Sequence, residues 1–81
     1  HPASQYARDY KKAVAARLTD AAREAGAADP EQLGEQLALL IDGAAARTRV
    51  LNADAFPTAA VIAAVLIENA IPATAGDEVS S

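Results

Sequence analysis

Residues 28–52 read ADPEQLGEQLALLIDGAAARTRVLN, and the fold is decided by how this run begins and how its apolar positions recur. Asp29 offers a carboxylate where a helix N-cap accepts a backbone N–H two or three residues on. Pro30 then sits at the first helical position, where its missing N–H costs nothing, and Gln32 stands in the capping-box place. These signals predict a helix over about 30–52. Its first apolar stripe is Leu33, Leu37, Leu40, Ala44, Thr48 and Leu51. A second stripe, Leu39, Gly43, Ala46 and Val50, is rotated well away from the first. A helix that is apolar on two sides has two neighbours to satisfy.

Upstream, residues 2–25 predict an amphipathic helix. Tyr6, Tyr10, Val14, Leu18, Ala21 and Ala25 recur at three- and four-residue steps, with Arg8, Asp9, Lys11, Lys12, Asp20, Arg23 and Glu24 over much of the remaining surface. Pro2 suits the first turn, and Gly26 suits the position just past the end. Downstream, Asn52-Ala53-Asp54 makes a turn in which Asp54 can cap a third helix over 55–71, with Pro57 tolerated in its first turn. Between Thr58 and Ile71 only Glu68 and Asn69 interrupt apolar residues, so this helix must be covered on most sides. The remainder, residues 72–81, is small, polar and acidic, and reads as a disordered tail. The expected fold is therefore all-α, with three helices forming part of a helical bundle.

Composition agrees with close helix packing. Of the 81 residues 52% are hydrophobic, and 23 are alanine, the best helix former but a poor core filler. A chain this short buries only about 60% of its unfolded surface and is marginal on its own. With no cysteine and a single histidine, His1, the sequence lacks the ligands for a disulfide, a thiolate zinc site or a multi-histidine metal site, and it points to no cofactor. The chain holds no methionine and opens at His1-Pro2, which reads as a piece of a longer polypeptide, and nothing in these residues reads as a signal peptide. Its longest apolar run, 59–67, is about half of what a bilayer requires, so no membrane association is expected.

The net charge is −4, and the last 28 residues carry four acids and no base. A nucleic-acid-binding domain normally shows a basic patch. The one candidate, Arg8, Lys11, Lys12 and Arg17, reads as a solvated helix face, and DNA binding by these residues is not expected. Asp42 and Glu68 interrupt apolar stretches. Each reads as a seam carboxylate, the competing reading being a ligand contact or a pair with Arg47 or Arg49. Catalysis has no basis: His1 is terminal, Ser4, Ser80 and Ser81 lie near the ends, and no phosphate loop or paired metal-ligand motif occurs. The chain is not expected to be an enzyme.

Helices two and three display more apolar surface than the chain can hide, and such surface usually marks an interface. Pairing them with a second copy across a two-fold axis gives a four-helix bundle, the competing reading being that the same faces pack on upstream helices missing from this piece. The expected dimer interface is Leu39, Gly43, Ala46 and Val50 with Ala60, Ala63, Ala64 and Ile67. The expected inner core, on the side of any effector, is Tyr6, Tyr10, Val14, Leu33, Leu37 and Leu40.

The run from Asp29 to Ala44, with its Asp-Pro-Glu start and leucine-rich course into Asp42-Gly43, resembles the penultimate helix of tetracycline-repressor (TetR) family transcriptional regulators. The preceding helix, ending Ala22-Arg23-Glu24-Ala25-Gly26, and the Ala-rich helix over 55–71 resemble its neighbours in that family, so the resemblance covers residues 1–71. It implies the C-terminal dimerisation and effector-binding part of a bacterial, cytoplasmic, ligand-responsive regulator. Such a protein would be a homodimer that meets DNA only through an N-terminal helix-turn-helix domain absent from this chain. Effector binding in that family shifts the spacing of the two reading heads. The effector itself is not legible here. The alternatives are a free-standing helical protein–protein interaction module and a small apolar-ligand carrier.

Overall fold

The computed structural model describes residues 2–73. It is all-α: α1 spans Pro2–Glu24, α2 spans Pro30–Leu51 and α3 spans Phe56–Ala70. The observed ends fall within one residue of the expected ones. Residues 74–81, most of the expected tail, lie outside the described residues.

Each helix boundary has a local cause. Helix α1 stops in a Schellman arrangement: Ala27 N–H donates to the Ala22 carbonyl at 3.0 Å and Gly26 N–H to that of Arg23 at 3.1 Å. Gly26 has φ 90°, which a residue without Cβ adopts freely. The N-cap of α2 is Asp29, whose Oδ1 accepts from the Gln32 backbone N–H at 3.2 Å. Its C-cap is Asn52, left-handed at φ 53°, one of the few non-glycine residues that enter this region readily. Before α3 the expected role of Asp54 shifts by one residue. Ala55 holds the N-cap position without a side-chain bond. Asp54 Oδ1 instead accepts from Phe56 N–H at 3.0 Å, and Thr48 Oγ1 accepts from Ala55 N–H at 2.9 Å. That second bond fastens the turn to the last part of α2.

Helix α2 packs against both others, whereas α1 and α3 do not touch. The chain is consequently one layer of three helices with α2 in the middle, 28 Å across and 12 Å through. One bond closes the layer at its end: Ala28 N–H, in the α1–α2 loop, donates to the carbonyl of Ala70 at 3.0 Å. A single layer has little interior. Among the described residues the buried hydrophobic side chains are only Ala22, Leu33 and Ala44. The helices come close at Gly34, where a Cβ would meet the Thr19 side chain and lie 2.8 Å from Thr19 N and 2.9 Å from its Cα. Glycine there lets α1 and α2 approach to backbone contact.

The inner face of α1 differs from the expected one. Tyr6 and Tyr10 are 74% and 64% exposed, not part of an inner core. Four-residue steps advance about 40° beyond a full turn, so the Tyr6–Tyr10–Val14–Leu18 stripe winds round the helix. Its C-terminal end, Val14 and Leu18, is half-buried with Ala15 and Thr19, while its N-terminal end has rotated into solvent. Of the other expected core residues, Leu33 is buried and Leu37 and Leu40 are half-buried.

Candidate functional site: the open face of α2 and α3

The second stripe of α2 is largely left open to solvent. Leu39 and Val50 are 73% and 76% exposed, Gly43 is exposed and Ala46 half-buried. Its spacing of four, three and four residues is that of a coiled-coil seam, the pattern that keeps one stripe against one partner helix. Beside it runs a groove of about 430 Å³ between α2 and α3. Leu39, Gly43, Arg47 and Leu51 line one wall, and Thr58, Ala59 and Ile62 the other. Arg47 and Asp54 are its charged lining residues, one of each sign.

The residues expected to share this interface divide between two faces. On α3 it is Thr58 and Ile62 that stand on the groove side with Leu39 and Gly43. At about 100° per residue, Ala60, Ala64 and Ile67 lie roughly 140–160° round from Ile62, on the opposite flank. Ala63 faces between them, half-buried towards α2. A partner laid on one face of the layer covers the α2 set or the α3 set, not both. The α3 counterpart of the α2 stripe is therefore Thr58, Ile62 and Val65, at the same four-three spacing. The small residues of α3 do not mark this face, because a helix apolar nearly all round carries no stripe of its own. Its orientation is set by the Thr48–Ala55 bond and by the packing of Ala59 and Leu66.

The second place where charges gather is a shallow groove between α1 and α2, lined by Arg8, Lys11, Lys12, Glu35 and Asp42 among others. Lys11 Nζ lies 3.0 Å from Asp42 Oδ1, so the partner of Asp42 comes from α1 and is neither Arg47 nor Arg49. Both side chains are at least half exposed, and a pair so solvated contributes little. Of the candidate basic patch, Arg8, Lys11 and Lys12 thus border acidic residues instead of forming a uniform patch; Arg17 is exposed. Glu68 is likewise exposed.

Among the described residues no three His, Cys, Asp or Glu side chains gather in a way that could hold a metal ion. No described helix is long and apolar enough to cross a membrane. Comparison with family models, with curated proteins and with solved structures found no match to this chain.

Proposed function

We propose that these residues are the C-terminal dimerisation and effector-domain part of a TetR-like, ligand-responsive transcriptional regulator, working as a homodimer. The observation that carries the reading is the single layer, whose middle helix presents a seam of coiled-coil spacing to solvent. Apolar surface of this extent is uncommon on a chain that acts alone. Five side chains on this side of the layer, Leu39, Val50, Leu51, Ile62 and Val65, are each exposed by 44% or more. At roughly 100 Å² apiece they amount to about 500 Å² before any alanine is counted, more than half of the ~800 Å² each partner gives to a standard interface. The opposite flank, with Phe56, Ala60 and Ile67, would pack on the rest of the effector domain. DNA contact would belong to a helix-turn-helix domain elsewhere in the protein.

The coding sequence immediately upstream tests the regulator reading directly. Roughly 110–130 codons of helical pattern, opening on a basic helix-turn-helix, are expected. A different type of domain there would overturn the regulator assignment while leaving the dimer intact.

One observation favours a second reading, a carrier of small apolar ligands: the groove volume lies within the usual range for ligand pockets, ~300–1,000 Å³. Leu39, Gly43, Arg47 and Leu51 on its wall are exposed, however, so a small molecule there would stay largely in water. Stable binding of a fluorescent apolar probe by the 81-residue chain would favour the carrier, and its absence the interface.

A further inference from the structure

We infer that two copies of the chain cross at Gly43, with α2 of one seated against α2 of the other at this residue. The inference rests on the homodimer reading and adds the point of closest approach. Helix α2 has two interior glycines, and a glycine inside a helix is unfavourable relative to alanine. Gly34 has a cause within the chain, since a Cβ there would collide with Thr19. Gly43 has none: a Cβ built on it meets nothing within 4 Å. It lies in the middle of the exposed seam, one turn from Leu39 and two from Val50, at the edge of the groove. What Gly34 does for α1, Gly43 is placed to do for a helix from outside, with Leu39 and Val50 as the knobs on either side.

A second copy fits this face better than an unrelated partner. A two-fold interface must be complementary to itself. The face is apolar, and its groove carries one cation, Arg47, and one anion, Asp54, so two copies meet without net repulsion although the whole chain carries −4. The large apolar side chains on this face also supply more than half of the ~800 Å² that one member of a standard dimer gives.

The absence of cysteine makes the test clean. Because a Cβ at position 43 meets nothing in the chain, Gly43→Cys leaves the monomer fold undisturbed. Under mild oxidation this variant is expected to give a disulfide-linked species of twice 8.3 kDa, since two α2 helices crossing there place the sulfurs within bonding reach. Ile41→Cys, turned to the other face, is expected to stay unlinked. Gly43→Leu is expected to weaken self-association roughly 100-fold, the size of an overpacking penalty expressed as a binding constant. Sedimentation before oxidation separates the two ways of failing. A dimer in which Val50→Cys links and Gly43→Cys does not overturns the crossing point and keeps the dimer. A monomer at all concentrations overturns both.

Discussion

The two flanks of α2 use the same materials to different ends. Towards α1, a glycine, an alanine and a leucine make a closed contact: Gly34 against Thr19, with Ala22 and Leu33 buried nearby. Towards the groove, a glycine, an alanine and a leucine (Gly43, Ala46 and Leu39) recur along α2, and a Cβ at Gly43 would meet nothing within 4 Å. Composition alone does not distinguish them. What differs is whether the chain supplies a partner helix, so the first contact reports how the chain folds and the second what it meets.

The largest expected effect breaks the closed flank. Gly34→Val puts a branched side chain where even a Cβ collides with Thr19 backbone, and backbone cannot swing aside as a side chain can. Overpacking of this kind costs about 1–3 kcal/mol, occasionally more, a large share of the stability of so short a chain. Thermal unfolding followed by circular dichroism is expected to show a sharply lowered midpoint, or loss of the cooperative transition. An unchanged midpoint would mean that the α1–α2 crossing is looser than described.

On the open flank, Leu39→Arg is expected to leave the monomer's helix content intact, because residue 39 is largely in solvent. It should still weaken the dimer sharply by placing an unpaired charge in an apolar seam, a penalty of about 3 kcal/mol or more. Analytical ultracentrifugation of the variant beside the parent chain measures it. Retained self-association would remove Leu39 from the interface. The two flanks thus predict opposite phenotypes: unfolding without a specific effect on association for Gly34, and dissociation without unfolding for Leu39.

Smaller effects sharpen the comparison. Asp29→Ala removes the bond to Gln32 N–H and is expected to lower stability by about 1 kcal/mol, read as a shift in the denaturation midpoint. Gly43→Ala, measured where the chain is monomeric, should raise stability by about 0.5–1 kcal/mol, since helix propensity improves and nothing is displaced. The same substitution at Gly34 should destabilise. For Lys11 and Asp42, a double-mutant cycle is expected to return an interaction of ~0.5 kcal/mol or less, as befits an exposed pair.

How much of this was legible beforehand varies with how local the cause is. Helix ends were read closely because Asp29, Pro30, Gly26 and Asn52 act within a turn of themselves. The exposed second stripe of α2 was also legible, since polar residues on either side outline it. The faces of α1 and α3 were not. On α1 a four-residue stripe drifts, and which stretch of it meets α2 depends on where Gly34 permits contact, a fact that resides on the other helix. On α3 nearly every residue is apolar, so periodicity carries no phase, and the half-buried residues Ala59, Ala63 and Leu66 show its rotation only once it is packed on α2. The empty space at Gly43 is invisible in sequence, where it looks the same as Gly34.

The central claim is that the open face of α2 and α3 is covered by a second copy of the chain. Sedimentation equilibrium of the 81-residue chain over a wide concentration range tests it most directly. A homodimer gives a reversible approach to twice 8.3 kDa as concentration rises. A well-folded species of 8.3 kDa at every concentration would contradict it, and would assign that face to some other partner.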